Sequence, residues 1–455
     1  MNNGYTEKNN YTKRLSRYTS VGKEFGKFTT KFLFNTIISD NKNERNALAL
    51  KNALGSLKGP LMKIAQLLST IPGAVPAEYA NELSQLQSMA PPMGKGFVRR
   101  RMISELGTSW NDCFKDFDYS PFAAASLGQV HRAVTNEGRE IVCKLQYPDM
   151  KSAVEADLKQ LDVIFKINKN LGPAIGTDQI RKEIAERLRE ELDYKREGTH
   201  MKLFGEILKD YKDIKIPELV DDLCTEKLLV MTYLPGEPLM NFKNSTQSVR
   251  NKIAECLFRA WWIPFGQYGV IHGDPHLGNY SIGEGNRINL MDFGSIRIFR
   301  PEFVAGVIEL YRALSQQDDG LARQAYEKWG FHGLDEEAIT VLNMWAGFIY
   351  APLLSDEVRP IQQMRGGSEG RELAGRVHQE LKRIGGIKPP REFVLMDRAA
   401  VGLGSVFMHL KAEVNWHRLF HNLIDDFDIA QLGQRQSEVC KAAGLPNDVF
   451  THKYT

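Results

Sequence analysis

Cysteine is scarce in this chain and poorly placed for crosslinks or metal binding. The five that occur, Cys113, Cys143, Cys224, Cys256 and Cys440, are odd in number, scattered, and include no Cys-x-x-Cys pair. Those spacings argue against a disulfide framework or a zinc site and for free thiols in a reducing compartment. Long apolar runs are missing too. No stretch reaches the ~18–20 residues that a membrane-spanning helix needs. The best candidate, Val341 to Leu354, contains Asn343 and Pro352 and reads as a buried core helix. No apolar leader precedes Ser20, so a cytoplasmic protein without a transmembrane helix is expected. Net charge is small: 59 Lys and Arg stand against 56 Asp and Glu, a net +3 over 455 residues. That balance gives no support for a nucleic-acid partner.

What is present is ordinary globular material, 42% hydrophobic and 25% charged. At 455 residues, two lobes plus extensions are expected. Residues 1–40 combine a polar leader with a helical pattern. Phe25, Phe28 and Phe32 share one face, and Lys23, Lys27 and Lys31 share another. Such a basic amphipathic helix packs on the main domain, the plainer reading, or lies on an anionic membrane surface. Residues 41–105 read as a helical extension, with turns at Ile71-Pro72-Gly73 and Ala90-Pro91-Pro92. Residues 106–234 read as a small β-rich lobe with inserted helices. Its expected strands are Phe117 to Phe122, Gln129 to Val134, Glu140 to Tyr147 and Lys227 to Tyr233, with a hairpin turn at Asn136-Glu137-Gly138. Residues 235–455 read as a mainly helical lobe, broken once by a strand-loop-strand segment at 270–298. The expected fold class is α+β, lobe–hinge–lobe, with a cleft between the lobes.

Two short segments carry the strongest chemical signal. One is His272-Gly273-Asp274-Pro275-His276-Leu277-Gly278-Asn279; the other, thirteen residues after Asn279, is Asp292-Phe293-Gly294. Phosphoryl transfer needs divalent cations on phosphate oxygens, and hard cations take oxygen ligands. Asn279 and Asp292 supply them from two adjacent loops, and Asp274 would orient or deprotonate an acceptor. His272 and His276 lack a third ligand at zinc spacing. Lys144 lies in the apolar strand segment Ile141-Val142-Cys143-Lys144. A lysine there is costly unless paired, and phosphates plus a carboxylate would pair it. Spacing leaves that carboxylate open among Glu155, Glu191, Asp193 and Glu197. Where a kinase has a Gly-rich loop, this chain has Ala123-Ala124-Ala125-Ser126-Leu127-Gly128-Gln129. Alanine resists the positive φ values that glycine adopts freely, so the loop should be stiffer. Upstream, Lys63 and Gln66 share one face of an apolar helix from Leu57 to Leu68.

The ordered set of Lys63-x-x-Gln66, the Ala-rich segment, Lys144, Glu191-x-Asp193, Glu197, the His272 to Asn279 segment and Asp292-Phe293-Gly294 resembles the UbiB (AarF/ADCK) family of atypical kinases. The resemblance covers residues 45–300 most strongly. It implies a bilobal protein-kinase-like fold and binding of ATP with magnesium, manganese being the alternative metal. It implies nucleotide contacts from Ala123, Ala124, Ala125, Ser126, Lys144, Met231 and Tyr233, and Lys144 paired with Glu197. It also implies that Lys63, Gln66, Glu191 and Asp193 sit over the active site and obstruct a protein substrate. By similarity the activity is ATP hydrolysis or phosphorylation of a small or lipid-like acceptor, linked to ubiquinone or other isoprenoid-lipid metabolism. A lipid or quinone precursor would be a ligand, and the Phe25/Phe28/Phe32 helix would make peripheral membrane contact. Ala65 stands where the family motif Lys-x-Gly-Gln has glycine. A competing reading is a nucleotide-binding pseudokinase scaffold, disfavoured because Lys144, Asp274, Asn279 and Asp292 are all present. A conventional protein kinase is disfavoured by the missing Ala-Pro-Glu segment.

Overall fold

A computed structural model describes residues 93–446, apart from residue 126, residues 168–176 and parts of 362–389. The extension motif at Lys63 and Gln66 and the phenylalanine helix at Phe25 lie outside the described residues, as does Ser126. The described residues fall into two compact units: 149–167 with 177–188, and 93–148 with 189–446. The first holds α2 (Met150–Ile167) and most of α3 (Thr177–Glu190). Each helix buries one apolar stripe, Ala153, Val154 and Leu158 on α2, Ile184 and Leu188 on α3.

The second unit begins with α1 (Lys95–Leu106) and an antiparallel sheet of β1 (Phe114–Phe117), β2 (Ala123–Ala125), β3 (Gly128–Thr135), β4 (Glu140–Gln146) and the later β6 (Leu228–Thr232). Their order is β1-β3-β4-β6, with β2 also paired to β3. The β3–β4 hairpin turns through Gly138, whose φ of +86° suits glycine. Two expectations need correction here. The strand at residues 117–122 is not formed: β1 ends at Phe117, and the Asp118 side chain accepts from Ser120 N–H at 2.8 Å, turning the chain ahead of Pro121. The Ala-rich segment is not a loop: Ala123–Ala125 is a strand, held in register with Val130 to Gly128. Ladder hydrogen bonds to β3 override the weak strand preference of alanine.

α4 (Tyr194–Leu208) follows, capped by Asp193, whose carboxylate accepts from Arg196 N–H at 2.9 Å. Next come β5 (Ile214–Lys215), β6, β7 (Glu237–Pro238) and the central α5 (Gln247–Tyr268). α5 buries Phe258, Trp261, Trp262 and Phe265. It stops at Gly269, where φ is +64° and an added Cβ would lie 2.8 Å from the Phe299 carbonyl.

The segment after α5 builds the site's frame. β8 (Val270–His272) pairs with β11 (Ile296–Ile298), and β9 (Tyr280–Ile282) pairs with β10 (Ile288–Leu290). Nested pairing of four short strands sets the loop 273–279 beside the loop 291–295. The helical remainder is α6 (Pro301–Gln316), α7 (Asp319–Lys328), α8 (Glu336–Tyr350), α9 (Arg391–Leu410), α10 (Trp416–Ile424) and α11 (Ile429–Ala442). Asp318, Asp335, Asn415 and Asp428 cap α7, α8, α10 and α11 through side-chain oxygens. Val341, Leu342 and Ala346 are buried on α8, which ends at Tyr350, ahead of Pro352. Aromatic contacts tie α5 to α10, with Trp262 and Phe420 ring centroids 4.6 Å apart.

Candidate active site

Lys144 sits near the end of β4, in register with Val130 of β3 and Leu229 of β6. Central-strand placement buries its stem and leaves the ammonium needing counter-charge. Glu197, one turn into α4, provides it: Lys144 Nζ donates to both carboxylate oxygens, at 2.6 and 2.9 Å. Asp292 Oδ2 lies 3.7 Å from the same nitrogen, and the Tyr194 ring centroid 5.2 Å from it. Of the carboxylates left open by spacing, Glu197 is therefore the one on Lys144.

The electrostatics follow from burial. Desolvation would strip the proton from Lys144, but the carboxylates of Glu197 and Asp292 outweigh it and hold the ammonium charged. Burial pushes the Glu197 carboxyl up to about 7; Lys144 opposes that rise, and the nearby charge of Asp292 adds to it. Glu191 acts on Glu197 and Tyr194 in the same raising sense. Asp193 is exposed at the α4 cap.

Asp274 and Asn279 lie in the loop after β8, which adjoins the loop of Asp292 through Gly273 N–H to the Ser295 carbonyl and Met291 N–H to the Asn279 carbonyl. Asn279 Nδ2 donates to the Asp274 carbonyl at 2.8 Å, which leaves the amide oxygen without a protein donor among the described residues. Asp274 is half-buried, and no hydrogen bond occupies its carboxylate among the described residues. Asp292 Oδ1 accepts from Gly294 N–H at 3.0 Å, and its side chain keeps 44% exposure. Two adjoining loops thus carry two carboxylates and an amide oxygen, the donor types a hard divalent cation takes.

Residues that spacing does not single out fix the Asp292-Phe293-Gly294 backbone. All three carbonyls meet a side-chain nitrogen. His272 Nε2 lies against the Asp292 carbonyl, His200 Nδ1 is 3.3 Å from the Phe293 carbonyl, and Arg196 Nη1 donates to the Gly294 carbonyl at 3.1 Å. Glu190 bridges Arg196 at 3.3 Å and Arg297 at 2.5 Å. Phe293 is fully buried beside Phe204, with ring centroids 5.4 Å apart. Arg196 and Glu197 are adjacent on α4, so one helix holds both the lysine's partner and this loop. Their targets are backbone carbonyls, which leave no mark in a sequence; His272 stands out there only as a neighbour of Asp274.

The remaining expected nucleotide contacts are more dispersed. Ala123 and Ala124 are exposed, and Ala125 is half-buried. Met231 is buried in β6 opposite Val142. Tyr233 N–H donates to the Glu140 carbonyl at 3.0 Å, while its ring stacks under the Arg132 guanidinium at 4.1 Å and meets Phe122 edge-on.

An antiparallel sheet bearing a helix-paired lysine, joined to a helical region that presents two paired loops, defines a protein-kinase-like α+β fold. Residues 85–325, more than half of the chain, match the ABC1 atypical kinase-like domain. The chain belongs to that family, the UbiB group of atypical kinases. It is 31% identical to Protein ACTIVITY OF BC1 COMPLEX KINASE 8, chloroplastic, of Arabidopsis thaliana, over 70% of this chain and 45% of that protein. It is also 31% identical to Atypical kinase COQ8, mitochondrial, of Saccharomyces cerevisiae, over 59% of this chain and 53% of that protein. The chain spans about half the length of the curated relatives it matches. A solved complex of Rv3197 with erythromycin from Mycobacterium tuberculosis superposes with a TM-score of 0.58, covering 89% of this chain and 98% of that one at 24% identity. That likeness concerns the fold alone. No helix among the described residues is long and apolar enough to cross a membrane.

Proposed function

We propose that this protein binds ATP with magnesium and turns it over, by hydrolysis or by phosphorylating a small or lipid-like acceptor in ubiquinone or other isoprenoid-lipid metabolism. The observation that carries this reading is the convergence of Lys144, Glu197 and Asp292 within hydrogen-bond and ion-pair distance. In kinase-like phosphoryl transfer, the strand lysine with its helix carboxylate and the Asp-Phe-Gly aspartate must be in place together.

Lys144 holds phosphate oxygens, and Glu197 keeps its ammonium aimed at them. Asn279 and Asp292 hold the divalent cation, magnesium or alternatively manganese; their free amide oxygen and half-exposed carboxylate fit a hard metal. When bound, the metal supplies charge neutralisation on the phosphates. Asp274, whose carboxylate has no hydrogen bond among the described residues, orients the acceptor hydroxyl or water and takes its proton. Ala123 to Ser126 cover the nucleotide, and Met231 and Tyr233 line its base. Lys63, Gln66, Glu191 and Asp193 narrow access, which favours a small acceptor over a protein. The Phe25/Phe28/Phe32 helix brings the protein to a membrane surface.

Turnover of magnesium-ATP, measured with and without anionic vesicles and a quinone precursor, tests the reading. Asp292→Asn should lower turnover at least about 100-fold with the circular dichroism spectrum unchanged. Wild-type protein that binds nucleotide but turns over no faster than Asp292→Asn would replace the enzyme with the scaffold reading.

A further inference from the structure

A partly open cavity lies among the helices of the second unit, lined by α5, α8, α9 and neighbouring loops. Its volume is about 120 Å³ and its walls are mostly aromatic, including Trp261, Trp345, Trp329 and Phe393. An apolar cavity of roughly 150 Å³ holds a benzene ring, so this one suits a single six-membered ring. It is not a purely apolar void, because two polar groups in its wall have unmet capacity. Asp397 receives one hydrogen bond, from Trp345 Nε1 at 2.6 Å. No cationic side chain among the described residues pairs with it, and its second oxygen has no protein donor there. Trp261 is 3% exposed, yet its Nε1–H has no hydrogen-bond partner among the described residues.

A carboxylate in such surroundings is satisfied best by a cation that carries its own apolar body. Aromatic faces attract the same cation. A guest ring would in turn offer its π face to an indole N–H such as that of Trp261. We infer that this cavity binds a compact arylalkylamine, with the ammonium group on Asp397 and the ring among the tryptophan and phenylalanine side chains. The inference does not depend on the nucleotide reading. It assigns a ligand to α9, the helix whose Gly402 lies against Pro275 of the catalytic loop: a Cβ there would stand 2.8 Å from Pro275 Cγ.

Burial pushes the Asp397 carboxyl up to about 6, against the Trp345 hydrogen bond that favours its charged form. The other titratable groups in the wall are Tyr326 and Tyr350, raised by burial and bonded to Asn343 Oδ1 and the Val307 carbonyl. Both stay neutral across the accessible range.

The test titrates the full chain with benzylamine and with benzyl alcohol, its neutral counterpart, following intrinsic fluorescence. Four of the six tryptophans, Trp261, Trp262, Trp329 and Trp345, line the cavity, so occupancy is directly visible. At pH 7.5 benzylamine should saturate and bind at least tenfold tighter than the alcohol. Asp397→Asn, which keeps the shape and the Trp345 hydrogen bond, should lose at least tenfold in benzylamine affinity and less than twofold in alcohol affinity. Wild-type protein offers a second measurement that needs no variant. Between pH 7.5 and 5 benzylamine affinity should fall as Asp397 takes up its proton, with alcohol affinity constant. Absence of saturable benzylamine binding, or equal affinities for amine and alcohol at both pH values, would overturn the inference. So would benzylamine binding that Asp397→Asn leaves unaltered.

Discussion

Glu197 is a buried carboxylate and Asp397 a half-buried one, and both have their pKa raised by burial, to about 7 and about 6. Their surroundings resolve the cost in opposite ways. Glu197 has an ammonium within 2.6 Å, a tyrosine ring above it and another carboxylate beyond. Asp397 has one indole N–H and a ring of hydrocarbon. The comparison teaches that a perturbed carboxyl does not by itself announce catalysis. What distinguishes the two is the partner: a fixed internal cation pre-organises a polyanion site, whereas a missing cation leaves room for one to arrive as ligand.

Removing the fixed cation breaks the contrast most forcefully. Lys144→Ala should weaken ATP binding by about 10–100-fold, the worth of a charged hydrogen bond to phosphate, read by calorimetry. It also turns Glu197 into a second Asp397, buried without a cation. The carboxyl then takes up a proton rather than unfolding the protein. A group whose folded pKa is raised contributes stability that is present below its unfolded value and lost as pH rises through the folded one. Thermal melts of Lys144→Ala should therefore lie closest to wild type in mild acid and fall away above pH 7. A deficit independent of pH would mean that Lys144 matters by packing alone.

Much of the first site is legible in the amino-acid order, because its candidate residues lie within short loops. Asp274, Asn279 and Asp292 are set by local spacing, and nested strand pairing does the rest. The partner of Lys144 is not legible from spacing, since 53 residues separate it from Glu197; only the family resemblance points there. The Ala-rich strand reads as a loop because alanine carries little strand signal, and β3 supplies the decision. The braces at His200 and Arg196 act on backbone carbonyls and leave no pattern. The aromatic cavity is invisible in the sequence for a similar reason. Asp397, Trp345 and Trp261 come from three helices far apart in the chain, and an aspartate on a helix is ordinarily read as solvated.

The two regions meet at Gly402, and a single methyl group probes that contact. Gly402→Ala places a Cβ 2.8 Å from Pro275 Cγ, so either α9 or the loop of Pro275 must shift. A displacement of a few tenths of an ångström beside Asp274 should cost about fivefold in kcat, given that misplacement by 1 Å can cost roughly a hundredfold. ATP affinity should hold, because Lys144 and Glu197 are carried on β4 and α4. Equal losses in affinity and kcat would show that the loop and the nucleotide site move as one body.

The mildest perturbation is pH itself. Burial raises Glu197 to about 7, so a carboxyl that no longer neutralises Lys144 should become populated as pH falls through neutrality. If the charged pair aims the ammonium, turnover should fall from its plateau around neutrality and decline further in acid. Glu197→Gln keeps the shape and deletes this titration. Its turnover should be low throughout and should lack the step that wild type shows around pH 7. The ATP phosphates and Asp274 remain as titrating groups in both proteins, so only the difference between the two profiles reports Glu197. Parallel profiles would assign the acid limb to those groups, and would mean that Lys144 holds Glu197 ionised well below neutrality.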